Sequence, residues 1–341
     1  MRKLKYAVWL LGAAAMLTLT GCHSDSGGGD KPETIQIKIG TVTSENAPIS
    51  EALLQMKEEL EEKSDGHIQV ELYFGGQLGG EQEMIELARV GDIQMVTSNH
   101  LNISNTIRPL AALESYFLFD DYAHAFRFMD SEGGQAMLDA YQQMDLQGLG
   151  FFPTGFRQFT NSKRPIQTAK DLKGIKIRGY SMVQIAAWES VGTVLSAVAW
   201  NELFTALQQK LVDGQESALS SIYEQKFYEV QKYISLTSHL LSSDILVCNQ
   251  KWLNKLNETD RQLITEAVSN AVDYHRENLV AQEQTYLDVF EKAGSVVNEV
   301  PQEVKEELSR QMNAVVSPTI IKLSGQEYFD LVQEWAEKTR Q

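Results

Sequence analysis

Residues 68–96 read IQVELYFGGQLGGEQEMIELARVGDIQMV, and their pattern decides the fold class. Ile68, Val70, Leu72 and Phe74 recur every second residue, the period of a strand with one buried face. Gly75-Gly76 ends that strand and Gln77-Leu78-Gly79-Gly80 forms a loop. A helix is expected from about Glu81 to Gly91, since glycine accepts the left-handed conformation that commonly closes a helix. Ile93-Gln-Met95-Val96 reads as the next strand. Upstream, Ile35-Gln-Ile37-Lys-Ile39 alternates strictly, and Asn46 with Pro48 just inside marks a helix start. That helix carries Leu53, Met56 and Leu60 at helical spacing, and Ser64-Asp65-Gly66 turns the chain back. Strand–helix–strand–helix–strand is the plan of an α/β fold with a largely parallel sheet. Ligands of such sheets sit beyond the carboxyl ends of the strands. Thr97-Ser98-Asn99-His100, placed there, reads equally as the wall of a site or as an ordinary polar loop.

A second unit begins near residue 150. Gly148-Leu-Gly-Phe-Phe152 reads as a strand, followed by Gly155-Phe156-Arg157-Gln158. Asp171-Leu-Lys-Gly174 leads into a short strand, Ile175-Lys-Ile177-Arg178, and a helix is expected from Val183 to Val191. After Trp200-Asn201-Glu202 a helix runs from Leu203 to Gln209 and stops before Asp213-Gly214-Gln215-Glu216-Ser217. From Asn257, a good N-cap, residues 258–293 contain neither proline nor glycine, and Gly294 ends the run. A helix of that length reaches about 50 Å at about 1.5 Å per residue. It outspans one domain and is expected to brace two.

The chain starts Met1-Arg2-Lys3-Leu4-Lys5, and an uncharged, mostly apolar run extends from Tyr6 to Gly21. A basic start, an apolar core and a small residue before a cut site are the marks of a secretory signal peptide. The run falls short of the roughly 20 residues of a membrane-spanning helix. Leu19-Thr20-Gly21-Cys22 resembles the lipobox of bacterial lipoproteins, in which the cysteine is diacylated and becomes the new N-terminus. Two acyl chains give the double signal that stable anchoring requires. The competing reading is a signal peptide that merely ends near a cysteine. Residues 22–33, rich in Gly, Ser and Asp, then read as a flexible tether.

The 341-residue chain has a formal net charge of −16, and loss of residues 1–21 brings it to −19 by removing Arg2, Lys3 and Lys5. Nucleic acid is thereby excluded as a partner, because phosphate binding needs a basic face. An anionic small ligand is not, since screening confines distant charges to about 8–10 Å. Cys248, in an apolar run with no partner if Cys22 is acylated, reads as a buried small hydrophobe; a Cys22–Cys248 disulfide is the competing idea. No Cys/His spacing suits zinc, and no metal or cofactor is expected. Phosphate-cradling glycine motifs and a Gly-x-Ser-x-Gly elbow are also missing, so an enzyme is not expected. Arg157 after one strand and Arg178 at the end of another, in one sheet, stand out instead. Two such guanidiniums can grip a carboxylate with a bidentate geometry that lysine lacks, although each alone reads more often as a surface or ion-pair residue.

Several stretches together resemble the substrate-binding proteins of TRAP (tripartite ATP-independent periplasmic) transporters of the DctP type, over residues 35–335. They are Gln77-Leu78-Gly79 before a helix ending in Gly91-Asp92; Gly155-Phe-Arg157 with Thr160-Asn161-Ser162; Asp171-Leu-Lys-Gly174-Ile-Lys-Ile-Arg178; Glu202-Leu-Phe-Thr-Ala206-Leu207-Gln208 leading to Val212-Asp213-Gly214-Gln215-Glu216; and Lys226-Phe-Tyr-Glu229-Val-Gln-Lys232-Tyr. The resemblance implies a two-lobed periplasmic-binding-protein-like α/β fold of type II character. Each lobe would be a mixed or parallel sheet flanked by helices, with one long helix spanning both. Lobe I would comprise residues 34–154 plus about 243–282, and lobe II residues 155–242 plus about 283–341. It also implies an extracytoplasmic, monomeric receptor that captures a small organic acid and delivers it to the small and large membrane permease subunits. The family's carboxylate-binding arginine falls on Arg178, its supporting arginine on Arg157 and its aromatic wall on Trp200, with polar contacts from the other lobe near Asn99 and Glu81. Ser217 stands where the family often has asparagine, and Leu113-Glu114-Ser115-Tyr116 also departs from the family pattern. Both departures bear on which acid is bound. Trp200 and the polar candidates lean towards a sugar acid such as a uronate over a C4-dicarboxylate. A ligand-binding sensor for a receptor kinase is the alternative, separable by the neighbouring genes, and an extracellular hydrolase or lyase ranks below it.

Overall fold

The structure, a computed structural model, describes residues 34–340. The leader, Cys22 and the tether lie outside the described residues. Ten strands form one continuous mixed sheet: β1 Ile35–Gly40, β2 Ile68–Tyr73, β3 Met95–Asn99, β4 Leu146–Asn161, β5 Lys176–Gly179, β6 Val194–Ala197, β7 Gly214–Ala218, β8 Tyr233–Leu236, β9 Leu241–Asn249 and β10 Val296–Glu299. Their order is β2-β1-β3-β9-β4-β7-β5-β6, with β8 also on β4 and β10 on β8.

The stretch from β1 to β3 is parallel, as the βαβ pattern requires. The sheet is mixed beyond it, because β9 enters antiparallel between β3 and β4. The turning point of the molecule is β4. Its first part, Leu146–Phe156, pairs with β9, while Arg157–Asn161 pairs with β7 and β8. The register shifts at Gly148/Gly150 and at Pro153/Gly155, where the strand bends without ending. Arg157 therefore lies within a strand and not after one. Nor are β4 and β5 neighbours, since β7 runs between them.

Two apolar clusters sandwich the sheet of the first lobe. One gathers Phe128, Met137, Tyr141 and Phe151; the other gathers Leu53, Met56 and Phe152 with Ile264, Val268 and Ala271 of the long helix. That helix spans Glu258–Lys292, started by Asn257, whose side chain accepts from Asp260 N. Its far end contributes Tyr286 and Phe290 to a cluster of the second lobe around Leu203, Ile222 and Phe227. One helix thus buries separate faces in both lobes. The last cluster packs Phe159, Ile177 and Trp188 against the helix Gln302–Ser324. Cys248 is fully buried and has no disulfide partner among the described residues. Among the described residues no helix is long and apolar enough to cross a membrane, and no three His, Cys, Asp or Glu side chains are grouped to hold a metal ion.

Candidate functional site

A cavity of about 710 Å³ opens between the lobes, reached from the ends of β3 and β5, the middle of β4 and the start of β9. Arg157, Arg178, Tyr180 and Trp200 line it on one side, and Glu81, Asn99, Leu101 and Asn102 on the other, with Thr154, Ser221 and Ser242 between. Five of the six binding residues expected from the sequence therefore share one cavity. Ser217 does not line it. Paired with Gln158, it sits on the face of β7 opposite to Glu216, and its buried hydroxyl has no hydrogen-bond partner.

The two arginines differ in one decisive respect. Arg157 is buried, and its Nε and Nη2 donate to the Oε2 and the main-chain carbonyl of Glu216, at 2.5 and 2.6 Å. His239 Nε2 lies 2.9 Å from the same carboxylate oxygen, and the Thr237 hydroxyl lies 2.8 Å from His239 Nδ1. Burial raises the Glu216 pKa, but Arg157 and His239 overcome it and hold the carboxyl down to about 2. Burial lowers the pKa of His239 in spite of Glu216. The ring is thus neutral at pH 7; a carboxylate can only accept, which assigns the proton to Nε2 and leaves Nδ1 to accept from Thr237. Burial also works against the Arg157 cation and is outweighed by Glu216, so its pKa is raised. The pair is electrically closed.

Arg178, at the inner end of β5, is half-buried. Its Nε donates to Val198 O at 3.0 Å, and its guanidinium carbon stands 4.9 Å from the Tyr180 ring centre and 5.2 Å from that of Trp200. Among the described residues no carboxylate lies within salt-bridge distance of it. Burial, with the nearby Arg157 charge, depresses its pKa. The cation is thus framed by two aromatic faces, faces the cavity and lacks a counter-charge. Trp200, 37% exposed, forms the rim beside it and packs edge-on against Phe227.

The opposite wall is acidic. Glu81 opens the helix Glu81–Val90, and its Oε1 accepts from Asn99 N at 3.3 Å. Asn99 ends β3 and turns into a short helix, its Oδ1 accepting from Leu101 N. Its Nδ2 donates to Asp244 Oδ1 at 2.9 Å and to Ser242 Oγ at 3.0 Å. Burial, reinforced by Asp244, pushes Glu81 up to about 7, and burial pushes Asp244 up to about 6 although Asn99 opposes it. Tyr180, Glu216, His239 and Asp244 were not expected from the sequence; nothing in the polar β7 sequence, Gly-Gln-Glu-Ser-Ala, signals that the strand is fully buried and that Glu216 must find a cation. A second depression, of about 510 Å³, surrounds Arg276. There Arg276 Nη1 already donates to both oxygens of Asp130 at 2.9 Å, so no charge is left to recruit an anion.

Comparison with known proteins places this geometry. The profile of bacterial extracellular solute-binding protein family 7 (DctP) matches residues 39–322. The crystal structure of a TRAP periplasmic solute-binding protein from Ochrobactrum anthropi, with a C-terminus bound in its ligand-binding pocket, superimposes with a TM-score of 0.86 at 30% identity, covering 91% of this chain and 97% of that one. The sugar-acid-binding protein of Advenella mimigardefordensis, in complex with galactonate, gives a TM-score of 0.82 at 27% identity, covering 91% and 100%. The C4-dicarboxylate-binding periplasmic protein of Shewanella loihica is 29% identical, over 72% of this chain and 74% of that protein.

Proposed function

Because the chain belongs to family 7 of the bacterial extracellular solute-binding proteins, the DctP family, we propose that it captures a small organic acid by pairing its carboxylate with Arg178 in the interlobe cavity. Members of this family bind substrates and do not transform them, and this chain is a receptor and not an enzyme. The observation that carries the reading is the uncompensated guanidinium of Arg178, framed by Tyr180 and Trp200 and open to the cavity. A ligand carboxylate supplies the missing charge, and the bidentate fork of arginine fixes its plane. Arg157, neutralised by Glu216, acts at the same end as a rigid donor whose remaining N–H groups face the ligand. Asn99 is a positioning residue, because its amide is consumed by Asp244, Ser242 and Leu101 N.

On the same reading the receptor delivers its ligand to a membrane permease, and the site's place in the fold supports this. A cavity between lobes that share β4 and the long helix can close over its ligand and present one surface to the small and large permease subunits of a TRAP transporter. The diacylated Cys22 keeps a monomeric receptor beside that permease, the tether raising its effective concentration there. Mass spectrometry of the mature N-terminus tests the anchor: a start at a cysteine carrying two acyl chains is expected, and an unacylated start elsewhere removes it. The receptor reading is tested by thermal shift of the purified chain against an organic-acid library. An acid at about 100 times its Kd adds about 2.7 kcal/mol of stability. A library in which no carboxylate raises the melting temperature refutes it.

A further inference from the structure

Relatives bind sugar acids, C4-dicarboxylates and, in one solved structure, orotic acid, and family membership therefore leaves the substrate class open. The charges of the cavity do not. Among the described residues its only lining cations are Arg157 and Arg178, both on the second lobe and both at one end. Arg157 is spent on Glu216, which leaves one positive charge for the ligand. Across the cavity the first lobe offers Glu81, with Asp244 behind it, and no lysine, arginine or histidine among the lining residues. Both Nδ2 hydrogens of Asn99 are taken by Asp244 and Ser242.

From this asymmetry we infer that the receptor selects a monocarboxylate whose far end carries hydroxyl groups, an aldonate or uronate, and rejects dicarboxylates. The inference rests on the receptor reading above. A sugar hydroxyl arriving at Glu81 donates to a carboxylate that accepts, a charge-assisted hydrogen bond. A second carboxylate arriving there meets no cation, only the neutral amides of Gln82 and Asn102, and stands against one acid with another behind. Like charges in a desolvated site reject a ligand more strongly than a missing contact would. Burial holds Glu81 and Asp244 near neutrality, as two acids that resist ionising together do. Whatever their protonation, that wall is neutral or negative and never positive. Trp200 fits the same class, because its exposed face can lie against the C–H side of a polyhydroxylated chain or ring.

The test is calorimetric titration of the purified chain with pairs of acids that differ only at the far end: D-gluconate against D-glucarate, D-galactonate against galactarate, and D-glucuronate and succinate beside them. At least one monoacid is expected to bind, and its matched diacid at least thirtyfold more weakly. Glu81→Gln, checked by its melting curve, is expected to narrow that ratio at least tenfold by strengthening the diacid and weakening the monoacid. A diacid or succinate binding as tightly as the best monoacid overturns the substrate class while the receptor reading stands. An unchanged ratio in Glu81→Gln overturns the role of the acidic wall. If none of these acids binds while another acid of the library raises the melting temperature, the substrate class falls and the receptor reading stands; if nothing in the library does so either, both fall.

Discussion

Arg178→Ala separates binding from folding. In the unliganded chain Arg178 makes one hydrogen bond, to Val198 O, and two aromatic contacts, and it has no carboxylate partner. Losing these costs about 1 kcal/mol for the hydrogen bond and about 0.5–1 kcal/mol for each aromatic contact. Relief of repulsion from Arg157 offsets part of that. The apo protein should therefore lose no more than about 1–2 kcal/mol. Binding is different, because the ligand carboxylate would be drawn from water into a cleft without a counter-charge. Truncating one partner of a desolvated charge pair costs about 2–5 kcal/mol. The partial exposure of Arg178 places the expectation near 2–3 kcal/mol, roughly 30- to 150-fold in Kd. The contrasting variant is Glu216→Gln, which leaves the buried Arg157 cation uncompensated and should cost about 3–5 kcal/mol of folding stability. Calorimetry with any acid found by thermal shift, together with urea unfolding of both variants, reads the two effects separately. Undiminished affinity in Arg178→Ala, or a collapse of its stability to the level of Glu216→Gln, would refute the assignment.

Two further outcomes follow from groups off the main axis of the site. Burial holds Glu81 and Glu114 up at about 7 and Asp244 at about 6, above their unfolded values. The native state then binds more protons than the unfolded chain between about pH 4 and 7. Stability of the unliganded chain should fall as pH rises through that window, by about 3 kcal/mol for a group moved from the usual glutamate value to 7. Glu216 acts in the opposite sense, since its contribution is present above the unfolded value and is lost as pH falls towards 2. Melting temperatures measured from pH 4 to 8 should peak on the acid side of neutrality, and a profile that climbs steadily to pH 8 contradicts the burial of these acids. Gly155 has φ of +121°, and a Cβ there would approach Tyr122 Oη to 3.0 Å. Gly155→Ala is thus expected to cost about 1–3 kcal/mol in chemical unfolding, and a neutral result would show that the strand bend relaxes.

The parallel first unit was legible because Ile35–Ile39 and Ile68–Phe74 alternate and their turns carry glycine. The long helix was legible because nothing in residues 258–292 interrupts it. The first helix starts at Pro48 with Ala47 at its cap and not Asn46, because the proline ring itself fixes the first helical φ. The helix Gln302–Ser324 escaped notice although Val304, Leu308, Met312, Val316 and Ile320 recur every four residues; Pro318 inside it breaks the usual rule. The site divides the same way. Arg178, Arg157, Trp200, Asn99 and Glu81 stood in recognisable stretches, whereas the pairing of Arg157 with Glu216 joins residues 59 apart, and His239 lies another 23 beyond. Local pattern carries no information about such partners. The free charge of Arg178 became evident only once its neighbour's was accounted for.

The path of the chain through the sheet also bears on how the molecule is made. β9 sits between β3 and β4, so the first sheet cannot close until residue 249 has been synthesised. Val332 and Ala336, close to the carboxyl terminus, complete the cluster built around Phe128 and Met137. The first lobe is therefore not fully packed until residues 332–336 have been made. Nearly all of the described chain is thus made before that lobe can close, and its early strands wait until then as an open, unpacked edge.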